Sequence, residues 1–162
     1  MDTVCRTLST GISALAEWLQ ERGLLINKSK TQVMYISPRG LPAEPLPTVR
    51  CLGEPLSTVS VAQYLGVHID NDLSWSSQID VLSKQISRSV GMVWQIRATL
   101  TLQTKRLCYF AFIQAKLCYA SNAYFPSVSQ TSRSILDKLS CRAIRASLGC
   151  PAGEMPRPYT AF

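Results

Sequence analysis

Histidine is nearly absent from this chain: His68 is the only one in 162 residues. One imidazole cannot complete a His-rich metal site. The six cysteines (Cys5, Cys51, Cys108, Cys118, Cys141 and Cys150) include no Cys-x-x-Cys pair either, so neither pattern points to a metal centre. Cys5, Cys108 and Cys118 fall among apolar helical residues, where a free thiol packs as a small hydrophobe. Carboxylates are scarce, ten against seventeen Lys and Arg, and only Asp70-Asn71-Asp72 brings two close together. The phosphate-loop, nucleophile-elbow and zinc-protease motifs are all missing, and the glycines are too scattered to cradle a phosphate. Residues 1–15 carry Thr and Ser where a secretory leader needs an apolar core. The longest largely apolar run, Leu107–Ala115, falls far short of the roughly 20 residues that span a bilayer. There are no internal repeats. These absences predict a reduced, intracellular protein of cytoplasm or nucleus, with no membrane association.

What is present is a lopsided charge. Residues 1–70 hold six Lys or Arg and six Asp or Glu, while residues 71–162 hold eleven and four. The whole net charge of +7 therefore belongs to the second part, and a concentration of one sign favours a polyanionic partner.

The hydrophobic pattern divides the chain at the same place and predicts an α+β protein. Val4, Leu8, Ile12, Leu15 and Leu19 form a helical stripe over residues 4–22, bordered by Trp18, with Arg6, Ser13, Glu17 and Gln20 opposite. Gly23 stops that helix. Short strands follow at 31–37, 49–52, 56–60 and 64–69, separated by a proline-rich loop at 38–47. Asp70-Asn71-Asp72 then turns the chain, and turn chemistry alone explains both carboxylates. Three amphipathic helices come next. The first is capped by Ser74, runs to Arg97 and has Ile79, Leu82, Ile86, Val90 and Val93 as its seam. The second, from Thr101 to Ala120, is apolar nearly all round and is expected at the centre of the bundle. The third, from Gln130 to Leu148, turns Ile135, Leu136, Leu139, Ala143 and Ile144 inward and is stopped by Gly149 and Pro151. The expected organisation is a mixed region at 1–70 with short antiparallel strands, a basic three-helix region at 71–150 and a loose tail at 151–162. Trp18, Trp75 and Trp94 read as core anchors, and His68 as a half-buried strand residue.

The candidate binding residues are cations in helical register. Lys84 and Arg88 lie one turn apart. Lys138, Arg142 and Arg145 share an outer face. Lys105 and Arg106 stand near a helix start, where they oppose the dipole. Such stripes can follow a phosphate backbone without reading sequence; a merely solvated face is the plain alternative.

Two motifs go further. Leu15-x-x-Trp18, Gly23-Leu24, Asn27-Lys28-Ser29-Lys30-Thr31 and Met34, followed by Tyr64-Leu65-Gly66-Val67-x-Ile69-Asp70-x-x-Leu73-Ser74-Trp75, resemble the reverse transcriptase of non-LTR (LINE-like) retrotransposons over about residues 4–150. The resemblance implies part of a palm followed by a thumb. It matches Lys30 to a lysine that assists pyrophosphate departure, where an ammonium neutralises or protonates the leaving phosphate. It matches Tyr64, Leu65 and Gly66 to the primer-grip hairpin, and the three helices to the thumb that packs on a template–primer duplex. The family's Asp-bearing motifs and nucleotide pocket belong to an upstream segment that the sequence lacks. Two-metal phosphoryl transfer needs those carboxylates. The resemblance therefore implies an RNA-directed DNA polymerase fragment that is inactive alone, holds no cofactor itself (Mg²⁺ serves the intact enzyme), and at most binds nucleic acid. A domesticated or pseudogene-derived binding or scaffold module is the alternative. The Tyr64–Trp75 region also resembles a short domain found at the N-terminus of AlkB-type tRNA-modifying dioxygenases. Their Fe(II) chemistry needs two His and a carboxylate, which a single His cannot supply.

Overall fold

A computed structural model describes residues 2–37, 40 and 46–148. The proline-rich loop lies largely outside them, as do the tail and the expected stop at Gly149 and Pro151. The chain is α+β and forms two compact units, Met1–Leu73 and Ser74–Phe162.

The first unit opens with α1 (Asp2–Gln20). The helix ends in a Schellman motif: Leu24 N–H donates to Leu19 O and Gly23 N–H to Gln20 O, both at 3.0 Å, with Gly23 at φ +74°. Glycine suits that position because it enters the left-handed region without a Cβ clash. Six short strands follow: β1 (Gln32–Val33), β2 (Arg50–Cys51), β3 (Glu54–Pro55), β4 (Ser57–Thr58), β5 (Val61–Tyr64) and β6 (Val67–Asp70). They form three two-stranded pairs. β2–β3 and β5–β6 are antiparallel, and β1–β4 is parallel. The strand expected at 31–37 is reduced to β1. The one expected at 64–69 is instead the second half of a hairpin, with Leu65-Gly66 as its turn.

α1 meets the sheet through polar contacts. Arg50 N–H donates to Ser9 Oγ at 3.0 Å and Leu52 N–H to Ser13 Oγ at 3.1 Å. Alternate strand N–H groups point the same way about 6.6 Å apart, and residues four apart on a helix rise about 6 Å along it, so the two periods match. This orientation buries Cys5 and Ala16 with Val49, Cys51 and Leu56, and packs Ile12, Ile26, Val33 and Tyr35 beside them. Burial, then Cys5, holds the Tyr35 phenol above its ordinary pKa, and its hydroxyl donates to Pro47 O. The sequence stripe is thereby corrected. Val4, Leu8, Leu15 and Trp18 face outward and are exposed, whereas Ile12 of that stripe packs toward the strands beside the smaller Cys5 and Ala16.

The second unit contains α2 (Ser76–Ile96), α3 (Leu102–Tyr109), a π-helical turn (Phe110–Gln114), α4 (Ala115–Cys118), α5 (Ser121–Tyr124), a 3₁₀ turn (Phe125–Ser127) and α6 (Gln130–Leu148). The expected α2 seam is buried in full, and Ile86 and Val93 have no exposed surface. Ile113, Tyr124, Val128, Leu136, Ala143 and Ala146 complete this core. Burial is the main cause that raises the Tyr124 phenol above its usual pKa, with Cys118 second. Four expectations are corrected here. Trp75, in left-handed conformation at φ 61°, holds the α2 cap position, while the expected Ser74 stands one residue earlier and its Oγ accepts from Ser76 N–H at 3.4 Å. Trp75 packs half-buried near Tyr124, whereas Trp94 is exposed. Ile135 is exposed. The expected central helix is only partly inside: Ile113 is buried and Cys108, Tyr109 and Leu117 pack half-buried on the core, but Leu102, Leu107, Phe110 and Phe112 are exposed. Thr101 does cap α3, accepting from Thr104 N–H at 3.3 Å.

Truncating the α2 seam should be costly and truncating the outer face of α1 cheap. Ile86→Ala is expected to lose about 2–5 kcal/mol, the usual cost of a large-to-small core change. Leu15→Ala should lose under about 0.5 kcal/mol. Denaturant titration of both variants measures the difference, and equal losses would place Leu15 in a core after all.

Candidate nucleic-acid interface

In the first unit the Asn27–Thr31 segment is a side-chain-stabilised turn. Asn27 Oδ1 accepts from Ser29 Oγ at 2.7 Å and Lys30 N–H at 3.2 Å, and Thr31 Oγ1 donates to Asn27 O at 2.9 Å. Asparagine suits this role because its side chain satisfies the backbone two or three residues ahead. Lys28 is held by Glu54 at 2.8 Å. Lys30 stays exposed at the end of the turn, with Thr31 between it and β1.

The β5–β6 hairpin pairs Tyr64 with Val67 across the two-residue turn Leu65-Gly66, both at positive φ, 47° and 80°. That is the type I′ geometry that matches the twist of paired strands. Leucine is poorly suited to it, since left-handed backbone costs an L-residue roughly 1–2 kcal/mol. The tip is exposed as well as strained: Tyr64 shows 67% of its surface and Leu65 73%. The second hairpin of this unit has the same construction, with Leu52-Gly53 at φ 50° and 81°. At the base of β6, Asp70 O accepts from Leu73 N–H at 3.0 Å, so Asp70-Asn71-Asp72 forms the expected turn. His68 is half-buried on β6 opposite Gln63. Among the described residues no three His, Cys, Asp or Glu side chains converge.

In the second unit the cations fall into two groups. Two serve the fold. Lys116 donates from Nζ to the buried Ser89 Oγ at 2.7 Å. Arg133 Nη2 donates to Phe125 O and Pro126 O at 3.2 and 3.1 Å. Most of the others have no side-chain hydrogen bond or ion pair among the described residues. Lys84, Arg88, Arg106, Lys138 and Arg142 are exposed, and Lys105 is half-buried. The ion pairs Arg22–Glu21 and Lys28–Glu54 lie in the first unit. Lys84 and Arg88 rise one turn apart on α2 beside Asp80, Gln85 and Gly91. Lys138 and Arg142 do the same on α6 beside Thr131 and Asp137. Arg145 departs from its stripe: it is half-buried and its Nε is covered. Sequence reasoning missed Arg97, whose guanidinium lies 3.2 Å from the centroid of the exposed Trp94 ring; an Arg three residues after a Trp on one helix is the signal that could have found it. No helix among the described residues is long and apolar enough to cross a membrane.

Compared with family models, with curated proteins and with solved structures, the chain matches none.

Placing asparagine in the hairpin turns tests what the β5–β6 tip is for. Leu65→Asn and Leu52→Asn should each stabilise the first unit by up to about 1 kcal/mol, since Asn tolerates left-handed backbone. If the tip touches nucleic acid, only Leu65→Asn weakens binding. Equal behaviour of the two variants in a binding titration removes the tip from the interface.

Proposed function

We propose that this chain is a nucleic-acid-binding fragment of a non-LTR-type reverse transcriptase, without polymerase activity of its own. The observation that carries the reading is the set of cations without an ion-pair partner among the described residues on the outer faces of α2 and α6, in the unit where eleven Lys or Arg stand against three Asp or Glu. A surface with several unpaired cations gains affinity for a phosphate backbone by releasing its counterions. Two features of the first unit support the resemblance: an exposed lysine at the end of an asparagine-built turn, and an exposed Tyr-Leu-Gly hairpin tip. The exposed face of α1 supports it too, since Val4, Leu8, Leu15 and Trp18 offer a surface for a further polymerase segment to cover. In this reading Lys30 is an accessory residue with no leaving group to serve, because the metal-binding carboxylates are elsewhere. Mg²⁺ belongs to the intact enzyme. The AlkB-type reading gains nothing from the half-buried His68.

The test is binding of a primer–template duplex across a salt series. Affinity should fall log-linearly with salt, with a slope of about −0.9 per phosphate contacted. Neutralising Lys138 and Arg142 together should shallow that slope by about two, leaving the half-buried Arg145 intact. Undetectable binding at low salt sinks the proposal, and nucleotide incorporation by the isolated chain with Mg²⁺ contradicts the claim of inactivity.

A further inference from the structure

Two cations of the helical unit lie near exposed aromatic rings; Arg97 already covers the Trp94 ring, whereas Arg106 leaves its neighbour open. Arg106 lies in an open groove of about 550 Å³ formed with Leu102, Gln103, Leu107 and Phe110. The groove is apolar and exposed: Leu107 shows 64% of its surface and Phe110 54%. The cations of α2 and α6 line no such groove among the described residues, and their exposed apolar neighbours one turn away, Met92 and Ile135, are not aromatic. A duplex presents phosphates outward and keeps its bases stacked inside, so it can satisfy those stripes but leaves this groove uncovered. A ligand that carries phosphates and also bare aromatic faces fits it.

The Phe110 ring is also held in place. It packs edge-on against Tyr109, with centroids 5.5 Å apart and planes at 75°. Tyr109 is itself fixed, donating its hydroxyl to Gln114 Oε1 at 3.0 Å. These partners are five residues apart, the spacing of the π-helical turn that begins at Phe110, where Ala115 N–H reaches back to Phe110 O. Such turns recur at functional sites. Here the widened turn joins the residue that orients Tyr109 to the residue that Tyr109 orients. A ring fixed before binding loses little entropy when a base stacks on it.

We infer that the α3 groove binds unpaired nucleotides, with a base stacked on Phe110 and a backbone phosphate on Arg106. The groove would thus take single-stranded nucleic acid while the α2 and α6 stripes take a duplex. This inference rests on the nucleic-acid reading above.

Fluorescence anisotropy of the full chain tests it, using a labelled oligothymidylate of about a dozen nucleotides and a blunt duplex of matched length. Phe110→Ala and Phe110→Leu should each weaken single-strand binding at least about fivefold, and Phe110→Trp should retain it. Duplex affinity should be unchanged in all three. Arg106→Gln should shallow the single-strand salt slope by about 0.7. An unchanged melting curve shows that each variant folds. Equal effects of Phe110→Ala on both ligands, or none on either, overturn the inference and leave the nucleic-acid reading standing. Failure of the parent chain to bind either ligand overturns both. If Phe110→Ala converts a self-associated chain to a monomer in sedimentation without changing oligonucleotide binding, the groove is a protein interface and the inference fails.

Discussion

Two hydrogen bonds decide which face of the first helix is inside. Arg50 presents its N–H group from the edge of β2 and Leu52 from the turn that follows it, and Ser9 and Ser13 accept them from α1. An uncovered strand edge carries unpaired donors, and satisfying two of them with neutral acceptors contributes of order 1 kcal/mol each. The larger effect is orientational. A helix held by serines lies close to the strands, so small side chains fit between, and Cys5 and Ala16 take that space with Ile12 packed beside them. The larger Val4, Leu8, Leu15 and Trp18 are turned out as a consequence. Burying them would gain on the order of 1.5–3 kcal/mol per side chain, so the first unit leaves a sizeable apolar surface for something else to cover.

The helical unit is organised differently. Its core follows the α2 seam, which needs no polar contact to set its register: five apolar residues at spacings of three and four find Leu136, Ala143 and Ala146 opposite. Polar groups enter only at the margins. Lys116 reaches Ser89, and Tyr124 donates to Leu117 O at 3.2 Å. The helix from Thr101 is the exception. Its apolar residues go nearly all round, yet only Ile113 is fully buried. The widened turn at Phe110–Gln114 shifts the phase of the residues beyond it, so the side chains before and after do not share one face.

This explains where the sequence was legible and where it was not. The α2 seam, the Thr101 cap and the bounds of α6 could be read directly, because each depends on local spacing or a short-range hydrogen bond. The α1 face could not: its large apolar residues form a better stripe than Cys5, Ser9, Ser13 and Ala16, and nothing local says that a strand edge needs two serines. The two Leu-Gly turns were also hidden. Asn-Gly announces a type I′ turn, whereas Leu-Gly looks like the continuation of a strand, and a leucine enters left-handed backbone only because the pairing on both sides holds it there. Among candidate site residues, the positions of Lys84, Arg88, Lys138 and Arg142 followed from helical register, whereas the covering of Arg145 Nε depends on packing that register does not contain.

The exposed cations are better understood through what they do not do for the fold. Asp80 precedes Lys84 by four residues, the orientation that favours an ion pair on a helix, yet none forms among the described residues. Such a pair contributes only about 0.3–0.5 kcal/mol, so its absence costs little and leaves the ammonium available. Arg133 and Lys116 show the contrast, since their donors are taken up by backbone carbonyls and a buried hydroxyl. The cations that remain outside differ from one another by neighbourhood. Those on α2 and α6 can neutralise phosphates and nothing more. Arg106, with Leu107 and a fixed Phe110 beside it, can hold a phosphate next to an exposed base. Under the proposed reading, charge alone would attract any nucleic acid to the unit, and the apolar surface around Arg106 would be what separates a single strand from a duplex.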